Sequence, residues 1–297
     1  MATHSILEQR VVAKPTIAIV VPLFNRLVLT QRFVQLFREV WGQYHRLVFV
    51  DDGSTDGTSE WLASNCPDAV VLHGNGNLWW TGATNVGVAY ALDNAFDFVF
   101  TINNDAIISP DALLKLVESA TVNSSSVIGC RLHDSNAKDR IWAIGGSANW
   151  RRGRPFDIHK SDCISSDKRL VDAEILPGCG VLIPCQCFRE IGLYNHQWYP
   201  QYHADAEFTL RAAKAGYRIL VDTEAIIWYD TDNGFKSRSL WSSLFSKRSP
   251  GFWKPIFAYH IAYCPWYLIV PSILRFYLSQ NRFAARLLPP NMTNEVQ

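Results

Sequence analysis

The sequence predicts an α/β protein organised on a mostly parallel sheet, and three observations carry that expectation. Residues 17–23 (IAIVVPL) and 46–50 (RLVFV) are short apolar runs rich in β-branched residues, the pattern of strands covered on both faces. Between them Phe33, Val34, Phe37, Val40 and Trp41 recur at helical spacing behind Thr30, a candidate cap, so a helix joins the runs as in a βαβ unit. The second run stops on Asp51-Asp52 and a Gly-Ser-Thr-Asp turn. In open parallel sheets, the crevice beyond the strand carboxyl ends is where small molecules bind.

Composition limits the possibilities. A chain of 297 residues that is 48% hydrophobic and 19% charged has ample material for a core. A net charge of +1 and the lack of a dense Lys/Arg run argue against nucleic acid as a partner. The seven cysteines are irregularly spaced, Cys185-Gln-Cys187 is not a C-x-x-C pair, and no Cys/His spacing completes a zinc pattern. They read as small buried hydrophobes in a reducing, cytoplasmic compartment. Residues 1–15 form a polar lead-in without the charged-then-apolar order of a cleavable leader.

The remaining elements follow in order. Trp61-Leu62 belong to a short helix, 69–72 to a third strand, and the glycines and asparagines at 74–77 to a loop. Residues 84–92 read as a helix packed through small residues. Gly74-x-Gly76 lacks the third glycine of a dinucleotide fingerprint and no P-loop sequence occurs, which disfavours both classes. Backbone N–H groups running into a helix N-terminus can still hold a phosphate. A fourth strand, 98–102, ends in Asn103-Asn104-Asp105, and Ser109-Pro110-Asp111 starts the next helix. One strand-end carboxylate flanked by amides suits Mg²⁺ or Mn²⁺, and equally suits an Asx-turn capping the following helix. A fifth strand is expected at 127–129.

In the second half, 151–172 is charged, irregular and read as a surface excursion. Residues 173–183 (AEILPGCGVLI) read as a strand interrupted at Gly178 and Gly180, where backbone or a bound molecule approaches closely. After a brief helix at 188–191, Trp198, Tyr199, Tyr202 and His203 precede Asp205 and Glu207 at a loop-to-helix junction, with the helix itself over 208–215. A carboxylate there serves as a helix cap or, walled by aromatics, as a base.

Four motifs in this order, VVPLFNR (20–26), FVDDGSTDGT (49–58), NNDA (103–106) and HADAEFTLRAAKAG (203–216), together resemble family 2 glycosyltransferases of the GT-A fold, of the bacterial surface-polysaccharide, rhamnosyltransferase-like kind. The likeness covers roughly residues 16–230. It implies a Rossmann-like nucleotide-binding sheet merged with an acceptor-binding half. Pro22, Phe24, Asn25, Asp51, Asp52, Gly82, Asn85, Asn103 and Asn104 would surround a nucleoside diphosphate sugar donor. Asp105 would bind a divalent cation on the diphosphate, with Asn103 replacing the first carboxylate of the usual D-x-D. Asp205 would be the catalytic base, with Ala204 replacing a leading Glu and His203 standing in part for it. Gly178, Cys179, Gly180, Trp198, His203 and Glu207 would lie beside the sugar and the acceptor. The histidine that often completes the metal shell is absent, leaving Asp230 or Asp232 as candidates.

The implied activity is inverting transfer of a sugar to the hydroxyl of a lipid-linked or polysaccharide acceptor. A nucleotidyltransferase and an inactive nucleotide-sugar-binding protein remain the alternatives. The expected division is 1–107 for the donor, 108–235 for acceptor and catalysis, and 236–297 as a C-terminal helical segment. In that segment, 255–274 carries no charge, contains His260, Pro265 and Pro271, and is flanked by Lys254, Arg275, Arg282 and Arg286. It fits an amphipathic element on the inner face of the cell membrane, a core or homodimer helix, or a span.

Overall fold

The computed structural model describes residues 15–41, 46–159, 168–229 and 240–280. The N-terminal half runs β1 (Ile17–Leu23), α1 (Leu27–Trp41), β2 (Arg46–Asp51), α2 (Thr58–Asn65), β3 (Val70–His73), α3 (Trp79–Asp93) and β4 (Phe98–Thr101). Its strands lie in the order β3-β2-β1-β4, all parallel. The continuous apolar run of β1 is explained by alternation. Ile17, Ile19 and Val21 pack on one side with Phe33 and Phe37, while Ala18 and Val20 pack on the other with Val88 and Ala91. Truncating a side chain such as Phe33 to Ala would cost about 3–5 kcal/mol.

The expected elements recur with shifted edges, and the shifts have long-range causes. Thr30 is not the cap of α1: it sits inside the first turn, bonded to the Arg26 carbonyl, and the Leu27 N–H donates instead to Asp56 from the turn after β2, at 2.8 Å. The third helix starts at Trp79 rather than Thr84, because the Asp52 carboxylate accepts the N–H groups of Leu78 and Trp79.

The second half adds β5 (Ile107–Ile108), α4 (Ala112–Val122), β6 (Ser126–Asp134), β7 (Ala137–Ala143), β8 (Gly146–Asn149), β9 (Arg154–Ile158), β10 (Leu170–Asp172), β11 (Val181–Pro184), α5 (Cys185–Ile191), α6 (Ala204–Lys214) and β12 (Arg218–Tyr229). The main sheet continues β10-β12-β6-β11 onto β4, with β5 on β12 and β7 on β6. Strand β11 runs antiparallel to both β4 and β6 and so stitches the two halves into one sheet. Three expectations are corrected here. The fifth strand runs from Ser126 to Asp134, well beyond 127–129. The interrupted strand is a strand only over 181–184, because the chain bends at Gly180, φ +80°. Within 151–172, β9 pairs with β8 and β10 with β12; 160–167 lie outside the described residues.

The C-terminal segment is α7 (Leu240–Phe245), α8 (Trp253–Tyr263) and, after a break at Cys264-Pro265 and a single 3₁₀ turn, α9 (Ile269–Gln280). Among the described residues no helix is long and apolar enough to cross a membrane. Helix α8 lies on the β8–β9 hairpin, with the Tyr259 ring centroid 4.6 Å from that of Phe156 and 5.5 Å from that of Trp150.

Candidate active site

A cavity of about 820 Å³ opens at the carboxyl ends of β1, β2 and β4, roofed by the segment before α6. Its walls include Pro22, Phe24, Asp52, Asn103, Asn104, Asp105, Gly178, Cys179, His203 and Asp205, ten of the residues singled out from sequence. A smaller pocket of about 350 Å³ lies elsewhere, near Lys115, Arg131 and Arg169. There Lys115 pairs with Asp111, and Arg169 with Glu118 and Asp222.

The paired carboxylates after β2 do different jobs. Asp51 is fully buried and accepts the Ser54 N–H and the hydroxyls of Ser54 and Ser59, so it closes the turn and does not reach the cavity. Asp52 does line the cavity, but its oxygens accept N–H groups from Gly76 and Leu78 at 2.8 Å and Trp79 at 3.0 Å. A carboxylate has about four lone-pair sites, so one remains for a ligand. The loop carrying those donors needs Gly74, where a Cβ would stand 2.5 Å from the Asp52 Oδ1. Asn25, at φ +51°, accepts the Thr55 N–H and bonds through its own N–H to Ser54; it braces the same turn, away from the cavity wall.

At the end of β4, the three residues diverge. Asn103 accepts the Trp80 indole N–H at 2.9 Å, and Asn104 donates to the Thr30 hydroxyl at 2.9 Å. Asp105, its side chain 7% exposed, pairs with the Arg26 guanidinium at 2.6 Å through Oδ2. Its Oδ1 is buried with no hydrogen-bond partner in a cavity-lining residue. An orphaned carboxylate oxygen on a cavity wall fits a hard divalent cation that draws its other ligands from phosphate and water. Among the described residues no three His, Cys, Asp or Glu side chains cluster to hold a metal. Asp230 and Asp232 lie outside the described residues.

Asp205 lies in the first turn of α6, since that helix begins at Ala204 and not at Phe208. Its carboxylate accepts the Gly178 N–H at 2.8 Å and the Ala206 N–H at 2.9 Å. Burial pushes its carboxyl above the ordinary range, while those two bonds pull back. Gly178 has no room for a side chain: a Cβ would sit 2.5 Å from the Trp80 ring and 3.2 Å from the Asp205 Cβ. Neighbouring Cys179 lines the cavity as a protonated thiol, pushed up to about 12 by burial.

His203 precedes α6 in a left-handed conformation, φ 70°. It stacks flat on Phe156 with centroids 3.7 Å apart and donates from Nε2 to the Pro250 carbonyl at 2.7 Å. Burial lowers its pKa to about 4, so it is neutral and does not replace the carboxylate that Ala204 lacks. Glu207 does not line the cavity. It turns away from the cavity to Arg211, at 3.0 and 3.1 Å, and to the Tyr263 hydroxyl at 3.0 Å. Trp198 is outside the cavity wall under Lys254, whose ammonium stands 4.9 Å from the ring centroid.

Gly82, Asn85 and Gly180 lie off the cavity wall. Gly82 packs against Leu78, Asn85 exchanges two bonds with the Tyr194 backbone, and Gly180 donates to the Thr101 carbonyl. Tyr202, one of the aromatics expected to wall Asp205, does line the cavity, whereas sequence reading overlooked Arg26, Trp80, Gln201 and Arg248, all on the cavity wall. Arg26 was signalled by its place in VVPLFNR directly after β1. Gln201 and Tyr202 are held beside Trp80 because Thr81 bonds the backbone of Tyr199 and Pro200, and Trp80 N–H bonds Gln201, which draws that loop onto α3.

Comparison with known proteins fits this arrangement. The chain is 26% identical over 188 residues to the succinoglycan biosynthesis protein ExoA of Rhizobium meliloti (strain 1021), a match covering 62% of this chain and 54% of that protein. The chain thus spans about half the length of the curated relative it matches. Among solved structures, GalNAc-T7 with UDP, GalNAc and Mn²⁺ superposes with a TM-score of 0.64 at 13% identity, over 93% of this chain and 52% of that one. The mannosyltransferase PcManGT of Pyrobaculum calidifontis, in complex with GDP-Man and Mn²⁺, gives 0.57 at 16% identity, over 90% and 70%. These distant likenesses show a shared fold, and it is the GT-A fold expected from the motifs. The profile of glycosyl transferase family 2 matches residues 18–173, more than half the chain, and the protein belongs to that family.

Proposed function

We propose that the protein transfers a glycosyl group, with inversion, from a nucleoside diphosphate sugar to a hydroxyl of a lipid-linked or polysaccharide acceptor. The observation that carries this reading is the shared cavity. It joins a strand-end carboxylate with an orphaned oxygen, Asp105, to a half-buried helix-start carboxylate of raised pKa, Asp205. Asp205 takes the proton of the acceptor hydroxyl, whose oxygen attacks the anomeric carbon as the bond to the diphosphate breaks. The Gly178 and Ala206 N–H groups hold the base in place, and Trp80 and Tyr202 wall the cavity beside it.

Asp105 would hold Mg²⁺ or Mn²⁺, which when bound neutralises the leaving diphosphate. The Mn²⁺ in two fold relatives supports that cofactor, and the succinoglycan relative supports a glycan product. In this reading 1–107 binds the donor through Pro22, Phe24, Asp52, Asn103 and Asn104, while 108–235 receives the acceptor. The protein then works in the cytoplasm at the inner face of the cell membrane.

The test is incubation with UDP-, dTDP- and GDP-sugars and Mn²⁺, reading the nucleotide released and the anomeric configuration of the product by NMR. Nucleoside diphosphate and an inverted anomer are expected. Release of nucleoside monophosphate would establish the nucleotidyltransferase instead, and tight binding without turnover the binding protein.

A further inference from the structure

Helices α8 and α9 share a support and leave an apolar face outward. Ile256 and Tyr259 of α8 and Phe276 of α9 are buried; Tyr259 packs on the β8–β9 hairpin, and Arg275 bonds the Arg151 carbonyl of the turn joining its strands. His260 Nε2 lies 3.0 Å from the Ser272 hydroxyl, which fastens one helix to the other. On the outside, Trp253, Phe257 and Ile261 recur every fourth residue along α8. Val270, Leu274 and Leu278 do the same along α9, with Trp266 and Tyr267 in the turn between. These eight large side chains are 41–84% exposed. So much apolar surface, in two regular rows, marks an interaction site.

Charge selects the partner. From 233 to 294 the sequence has eight Lys or Arg and no Asp or Glu, in a chain of net charge +1, so the rest of the protein is net acidic. A second copy meeting this face about a twofold axis would bring the two cationic segments together. An anionic bilayer complements them, and Trp and Tyr favour the interfacial layer. The helices have 11 and 12 residues, about 17–18 Å each, against about 30 Å for a hydrocarbon core, so they lie on the bilayer rather than cross it.

We propose that the outer face of the α8–α9 pair docks the protein on an anionic lipid surface and thereby presents the catalytic cavity to a lipid-linked acceptor. Docking stands on this face alone; the acceptor clause rests on the glycosyl-transfer reading above. The face is linked to the site: Tyr263 of α8 bonds Glu207 of the helix that carries Asp205, His203 bonds Pro250 just before α8, and Arg248 lines the cavity.

The test is co-sedimentation of the full chain with phosphatidylcholine vesicles, with and without phosphatidylglycerol, at low and high salt. The wild type should pellet with the phosphatidylglycerol vesicles at low salt and be released at high salt. Combined W266S, V270S and L274S, all at exposed positions, should lower partitioning on the order of a hundredfold. Their release of nucleoside diphosphate by hydrolysis of the donor in solution should stay unchanged, a readout that fails separately if the glycosyl-transfer reading is wrong. Equal binding to both vesicle types, no binding, or binding unaffected by the triple variant would overturn the proposal. So would a wild-type dimer that the variant abolishes without any lipid binding.

Discussion

Substituting Asp52→Ala separates two roles for the carboxylate that the motif alone would assign to the donor. In the structure its oxygens receive three backbone N–H bonds, from Gly76, Leu78 and Trp79. Hydrogen bonds to a charged acceptor contribute about 1.5–3 kcal/mol each, so a naive total is about 4.5–9 kcal/mol. That total overshoots, because Gly76 is exposed and its N–H turns to water once released. The N–H groups of Leu78 and Trp79, at the half-buried start of α3, have less access. A loss of about 2–4 kcal/mol is therefore expected, which in a protein of this size lowers Tm by roughly 5–15 °C. Thermal melting followed by circular dichroism reads it, with calorimetric titration of UDP, GDP and dTDP alongside. Asp52→Asn keeps one acceptor oxygen and should fall between. An unchanged Tm together with a tenfold weaker nucleotide affinity would refute the reasoning and return Asp52 to a purely ligand-binding role.

Four further outcomes follow from the site. Asp205→Asn should lower turnover about a hundredfold to ten-thousandfold while leaving donor affinity in calorimetry near wild type, because the base acts on the acceptor. The acid limb of kcat/KM should lie above the ordinary carboxylate range, since burial raises Asp205, with activity rising as pH passes upward through that pKa and the limb vanishing in Asp205→Asn. Glu207→Gln should act on stability rather than donor binding, lowering Tm by a few degrees through the lost charge on Arg211 and Tyr263; a variant as inert as Asp205→Asn at wild-type Tm would move the base to Glu207. Arg26→Ala removes the cation paired with Asp105, so Mn²⁺ should bind the nucleotide-free protein several-fold more tightly, and unchanged Mn²⁺ affinity by electron paramagnetic resonance would show that the ion pair does not compete.

The sequence by itself determined what depends on short-range pattern. Apolar runs marked β1, β2 and β4, helical spacing marked α1, and polar residues at strand ends marked the edge where the cavity opens. The four motifs named the fold and the family and singled out Asp105 and Asp205, which the structure brings to one cavity. Tertiary structure alone decided how each polar side chain is used. Asp51 and Asp52 are adjacent and chemically identical, yet one closes its own turn while the other caps a helix that starts 27 residues later. Asp205 and Glu207 share a helical turn, yet two steps along a helix rotate a side chain by about 200°, so one meets Gly178 and the other Arg211 and Tyr263. A carboxylate's role follows from the donors that surround it, and those donors come from segments far away in the chain. Local pattern records where a side chain can go, and only the folded neighbours fix what it binds.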